Sequence, residues 1–149
     1  MRKLLLALAV AGIASPALAA DVTVAVTSIV EHPALNAARD GVKKALADAG
    51  YKEGENLVFQ FETAQGNPAT AAQIAQKYVG ENPNVIVPIA TPSAQAVVAA
   101  TQDIPVVFMT GDAGQAEELV EGARPYLLKP FAIATLIDVV ENAARPLRL

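Results

Sequence analysis

Three short polar segments carry whatever chemistry this chain can do. They are Thr27-Ser28-Ile29-Val30-Glu31-His32-Pro33, Thr63-Ala64-Gln65-Gly66-Asn67-Pro68 and Ala90-Thr91-Pro92-Ser93-Ala94-Gln95. Each follows an apolar run and offers hydroxyl or amide groups. Such groups donate and accept hydrogen bonds without carrying charge. Where they lead into a helix they sit beside backbone N–H groups that attract anions. The segments therefore suit a carboxylate or another small anion. They do not suit bond-making chemistry. The single histidine, His32, is not joined to a serine elbow or a cysteine. The chain has no Cys at all, which excludes disulfides and thiolate chemistry. Neither a metal-ligand cluster nor a glycine-rich phosphate loop is present in the sequence. No enzyme activity, cofactor or metal is expected, and His32 reads as a surface or capping residue. A plainer reading stays open beside the binding one: Thr27, Thr91 and Ser93 are helix caps and turn residues only.

Apolar, β-branched runs precede these segments and recur further on. They are Val22–Val26, Leu57–Phe61, Val85–Ile89, Val106–Met109 and Tyr126–Leu128. Short continuous runs of this kind suit a parallel sheet buried on both faces. Helical periodicity fills the gaps. Leu35, Ala38, Val42, Ala45, Leu46 and Ala49 form one apolar stripe, closed by Gly50. Ala72, Ala75, Tyr78 and Val79 form a second, ending at Gly80. Ala94, Val97, Val98 and Thr101 form a third, Ala116, Leu119 and Val120 a short fourth, and Ile133, Leu136, Ile137, Val140 and Ala144 the last. Asn67-Pro68 and Thr91-Pro92 each place a capping side chain before a proline at the first helical position. This alternation predicts an α/β fold: a doubly wound, flavodoxin-like parallel sheet of five strands in the order 2-1-3-4-5, with helices on both faces. Right-handed crossovers then bring the polar segments to the carboxyl ends of the strands, near the switch between strands 1 and 3.

The amino terminus follows a different logic. Arg2 and Lys3 precede an apolar run from Leu4 to Ile13, then the helix-breaking Pro16 and the small-x-small pattern Ala17-Leu18-Ala19. Residues 1–19 read as a secretory signal, too short in its apolar part to anchor in a bilayer. A buried amino-terminal helix is the alternative. Residues 20–149 read as a single domain, placed in the periplasm or outside the cell by the signal, or in the cytoplasm if expressed without processing. The net charge of -4 argues against a nucleic-acid surface.

The stretches VTSIVEHPALNAARDGVKKALADAGY, AQGNPATAAQIAQKYVG and VIVPIATPSAQAVVAATQDIPVVF carry a resemblance. Over about residues 22–108 the chain resembles the first lobe of ABC-transporter substrate-binding proteins of the tryptophan and aromatic amino acid uptake family. The resemblance implies a flavodoxin-like lobe, with ligand lying between it and a second lobe. It implies that Thr27, Ser28, Gln65, Thr91 and Ser93 line this lobe's half of the site. The partners implied are an aromatic amino acid and, for a working binding protein, an ABC permease.

From Val106 the stretch VVFMTGDAGQAEELVEGARPYLLKPFAIATLIDVVENA resembles the end of a response-regulator receiver domain, over about residues 106–145. There Thr110 matches the switch hydroxyl, Tyr126 the switch aromatic, and Lys129-Pro130-Phe131 the Lys-Pro-Phe signature. The chemistry that goes with these residues is not supported. The third strand ends in Pro88-Ile89-Ala90-Thr91, with no phosphoacceptor Asp, and Thr27-Ser28 replace the acidic pair that would bind Mg²⁺.

These resemblances divide the domain into residues 20–105, like a substrate-binding protein, and 106–149, like a receiver, joined at Ile104-Pro105-Val106-Val107-Phe108. The expectation is a non-catalytic chimera of two flavodoxin-like folds with at most weak residual ligand binding at an open, shallow rim. A natural fusion or a gene-model error would leave the same trace. The first alternative is a periplasmic solute-binding component of an ABC transporter for aromatic amino acids. The second, a phosphorelay receiver, lacks its acids.

Overall fold

The computed structural model describes residues 21–110, 126–128 and 133–144. The signal-like Met1–Ala20, the short helix expected around Ala116–Val120 and Lys129 lie outside them.

A parallel sheet runs through the molecule in the order β2-β1-β3-β4-β5, as the alternation of elements predicts. The strands are β1 (Val22–Ser28), β2 (Leu57–Thr63), β3 (Val85–Ile89), β4 (Phe108–Thr110) and β5 (Tyr126–Leu128). The helices are α1 (Pro33–Asp48), α2 (Pro68–Glu81), α3 (Thr91–Ala100) and α4 (Ile133–Ala144). β1 lies between β2 and β3, with Val24 opposite both Phe59 and Val85. Pairing of β3 with the next strand starts before β4 itself: Ile86 N donates to Pro105 O at 3.0 Å and Val107 N to Ile86 O at 2.9 Å.

Alternation along the strands divides the core in two. Val22, Val24, Val26, Val85, Val87 and Ile89 pack with Val42 and Leu46 of α1 and Leu136 and Val140 of α4. Ala25 and Ile86 face the other way, against Ile74, Ala75 and Tyr78 of α2 and Val97 of α3. Each large side chain fully buried in these layers contributes about 1.5–3 kcal/mol. Tyr78 adds a polar anchor, since its hydroxyl donates to Val26 O at 3.0 Å deep in the second layer. β2 is an edge strand and departs from the expectation of burial on both faces: Val58 is 43% exposed.

Local chemistry sets the helix ends. His32 caps α1 through Nδ1, which accepts from Ala34 N at 3.3 Å. Past the other end Gly50 takes φ +92, and Gly50 N and Tyr51 N donate back to Ala47 O and Leu46 O. That left-handed closure favours glycine because a Cβ is strained there. Asn67 caps α2, its Oδ1 accepting from Ala69 N at 2.8 Å and Thr70 N at 3.3 Å. The expected stop at Gly80 is corrected: α2 runs to Glu81, and Asn82 closes it at φ +51. Asn tolerates the left-handed region, and glycine inside a helix is only modestly unfavourable, so the later signal prevails. The buried stripe of α2 also shifts. Ala71, Ile74, Ala75 and Tyr78 are buried whereas Ala72 is exposed.

Candidate functional site

At the carboxyl edge of the sheet β1 ends in Thr27-Ser28, between Glu62-Thr63 of β2 and Pro88-Ile89 of β3. The strand is two residues longer than its apolar run because a central strand pairs on both sides, and hydroxyl side chains do not interrupt the ladder. Ser28 Oγ donates to Val30 O at 2.8 Å and turns the chain out of the strand. The loop after β2 is tied to the same place. Ala64 N donates to Ser28 O at 2.9 Å and Gly66 N to Ile29 O at 2.6 Å. Within that loop Gln65 takes φ +51 and stays exposed.

The loop after β3 is the most constrained part of the edge. Ala90 N donates to Met109 O at 2.9 Å, which holds the end of β3 against β4. Ala90 itself has φ +71 and ψ 155, a region occupied almost only by glycine. A non-glycine residue held there costs about 1–3 kcal/mol. Ala90, not Thr91, is the residue that caps α3, and it makes no side-chain cap bond. This corrects the cap expected at Thr91. The sharp turn starts the helix one residue early, which puts Thr91 in its first turn and half-buries it.

Ser93 lies in that same first turn, 0% exposed, and its Oγ has no hydrogen-bond partner among the described residues. Thr27 is 2% exposed, and its Oγ1 likewise has none. By strand alternation Thr27 shares the α2–α3 side of the sheet with Ala25. Two hydroxyls without partners among the described residues thus lie on one side of one edge, and Ser93 belongs to the first turn of α3, whose N–H groups helix geometry leaves without intrahelical partners. A buried unpaired hydroxyl ordinarily costs about 1–3 kcal/mol.

The candidate residues accordingly separate by depth. Gln65 is exposed and Thr91 partly so, whereas Thr27, Ser28 and Ser93 are buried beneath them. The structure brings all of them to one edge but does not arrange them as an open polar rim. Ala90 was not legible as a member of the site: alanine gives no sign of positive φ. Among the described residues no group of three His, Cys, Asp or Glu could hold a metal ion.

Two ionisable side chains of α2 have structural partners on the sheet. Lys77 pairs with Glu62, and that hydrogen bond raises the lysine's pKa. Burial first, then the charges of Glu62 and Glu81, push the Tyr78 hydroxyl well above its ordinary range. Tyr78 is therefore a neutral anchor rather than an acid–base group. Of the receiver-like residues, Thr110 ends β4 opposite Leu128, and Tyr126 begins β5 opposite Phe108.

In open doubly wound sheets ligands bind outside the carboxyl ends of the strands, and the candidate residues lie at that edge here. Residues 23–124 match the family model described as ABC transporter substrate binding protein, and the chain belongs to that family. The match runs through Ile104–Phe108, where a change of family was expected, and takes in residues 106–124. A tyrosine-binding protein of Clostridioides difficile (strain R20291) is 44% identical over 85 residues, 57% of this chain and 25% of that protein. A conserved domain protein of Vibrio cholerae is 50% identical with a TM-score of 0.66, over 72% of this chain and 38% of that one. The ABC domain from Streptococcus pneumonia in complex with L-Trp is 26% identical with a TM-score of 0.64, over 73% of this chain and 38% of that one. The chain thus spans about a quarter of the curated relative's length and under two fifths of these solved chains.

Proposed function

We infer that this chain forms a ligand-binding lobe of an extracytoplasmic solute-binding component of an ABC transporter, and that its ligand is an aromatic amino acid. One observation carries the reading. Thr27 Oγ1 and Ser93 Oγ are buried without partners beside the strained Ala90, at the amino end of α3. A helix amino terminus favours a carboxylate, and nearby hydroxyls without protein partners supply further hydrogen-bonding capacity. Ser28, Gln65 and Thr91 complete the proposed half-site. The tyrosine-binding relative and the L-Trp complex support the choice of an aromatic amino acid over other carboxylates. The working partner is then an ABC permease. Binding and release account for this role, with no catalytic step or cofactor. The signal-like residues 1–19 agree with a location outside the cytoplasm, and among the described residues no helix is long and apolar enough to cross a membrane.

Titration of the chain with tryptophan, tyrosine and phenylalanine, followed by amide NMR shifts, tests this reading. Millimolar binding that moves the Thr91 and Ser93 signals is expected, because one lobe leaves ligand largely wet. Each surviving hydrogen bond then contributes about 0.5–1.5 kcal/mol against an association cost of at least ~4 kcal/mol. No shift at these residues with any of the three would sink it.

A second reading keeps the receiver-like end as a graft that completes the fold. It is favoured by α4, which follows β5 closely in the chain and puts Leu136 and Val140 into the α1 layer. Treatment with acetyl phosphate and Mg²⁺ checks for receiver chemistry instead: no phospho-aspartate is expected, and a stoichiometric one would restore the receiver.

A further inference from the structure

Among the described residues the outer edge of β2 has no neighbour in the sheet, and its polar groups can be assigned residue by residue. Val22 N donates to Asn56 O and Ala64 N to Ser28 O. With the parallel register, these bonds turn the N–H and C=O groups of Val58, Gln60 and Glu62 toward β1. Those of Leu57, Phe59, Phe61 and Thr63 then point outward. Leu57 is satisfied within the chain, since its N–H donates to Lys52 O and its C=O accepts from Gly54 N. Among the described residues Phe59, Phe61 and Thr63 remain as an unpaired edge. Arg39 lies 4.8 Å from the ring of Phe61 and Lys43 5.5 Å from that of Phe59. The rings are covered on the α1 side while the backbone edge stays open. On the α2 side Val58 is exposed, and the Oε1 of Gln60 is buried without a partner.

We propose that this edge pairs antiparallel with the same edge of a second copy of the chain, about a two-fold axis at Phe61. The register follows from which groups point outward. Centred on Phe61, it sets Phe61 against Phe61 and Phe59 against Thr63 of the second copy, giving about six backbone hydrogen bonds. Centred on Gln60, it would need Leu57, which is already satisfied, and would give about four. The side chains favour the same register. Gln60 stands opposite the second copy's Glu62, which is already paired with Lys77. The Gln60 amide N–H can donate to that carboxylate. Val58 meets Ala64, and no like charges stand directly opposite. The pairing is isologous and closes at two copies. It points the two carboxyl edges in opposite directions, so both proposed ligand sites stay open.

Sedimentation equilibrium on the full chain reads the association, and two substitutions at one position read the register. A concentration-dependent monomer–dimer equilibrium is expected. Gln60→Glu sets a second carboxylate opposite Glu62 and should weaken the dimer about tenfold or more, whereas Gln60→Lys should hold or tighten it. Thr63→Pro removes an outward N–H that the β1 ladder does not use, and should also weaken association. Circular dichroism checks that each variant is folded. A chain that stays monomeric at millimolar concentration overturns the proposal. So does a dimer whose dissociation constant is the same, within about twofold, for Gln60→Glu and Gln60→Lys.

Discussion

The two ends of the sheet are made from similar residues and treated in opposite ways. At the amino edge Asn84 accepts from Thr23 N at 2.8 Å, donates from its own N–H to Thr23 O at 2.9 Å, and donates from Nδ2 to Ala143 O at 3.3 Å. Asn56 does the same work for the turn before β2, accepting from Lys52 N and donating to Gly50 O. At the carboxyl edge Thr27 and Ser93 bury hydroxyls that nothing satisfies, and Ala90 holds a strained backbone. Unused hydrogen bonds and strain reduce stability, and they gather where the fold presents helix amino termini. The contrast separates an end whose amide side chains are satisfied from an end that holds unsatisfied hydroxyls and strain, where the ligand is proposed to bind.

Substitutions can break that contrast from either side. The largest effect should come from Asn84→Ala. It leaves Thr23 N and the last turn of α4 without their partner, and should cost about 2–3 kcal/mol in urea unfolding while leaving the NMR response of Thr91 and Ser93 to tryptophan unchanged. At the opposite edge Ala90→Gly should raise stability. It removes strain of about 1–3 kcal/mol and returns part of it as backbone entropy, for a net gain of about 1 kcal/mol in the same measurement. A loss of stability there would mean that Ala90 is not strained. Thr27→Val and Ser93→Ala remove unsatisfied hydroxyls and should leave stability level or raise it by up to about 1 kcal/mol, yet weaken tryptophan binding severalfold. A clear destabilisation by either would show that the hydroxyl is bonded within the protein.

The smallest effect near neutral pH belongs to Tyr78. Its folded pKa is raised above the ordinary value of 10.0, chiefly by burial. The folded state therefore holds the phenol proton more tightly than the unfolded chain does. This contribution is fully present below about pH 10 and is lost as pH rises beyond it, toward the folded value. Unfolding free energy should fall with alkaline pH in the native protein and fall less in Tyr78→Phe. Equal slopes would place the alkaline transition elsewhere.

Much of the frame was legible in the residues. β3 and β5 have the limits that Val85–Ile89 and Tyr126–Leu128 suggest, and the caps at His32 and Asn67 and the turn at Gly50 lie where their side chains, or the lack of one, demand. Two of the misjudged features were places where two local signals competed. Gly80 and Asn82 both stop helices, and the chain uses the later one, Asn82 taking the left-handed turn at φ +51. Thr91 is a good cap by type, but the turn at Ala90, held by Met109 O, starts the helix before it.

What the sequence determined by itself was the alternation of elements, the parallel sheet and the gathering of polar segments at its carboxyl edge. Periodicity and capping are local properties, and the handedness of the crossovers fixes the rest. What only the tertiary structure decided was depth. Thr27, Ser28 and Ser93 lie beneath the edge while Gln65 stays outside, and among the described residues β2 is left with one side unpaired. Burial and strand neighbours depend on which distant segments pack against a residue, and no short stretch of sequence encodes its neighbours across the sheet.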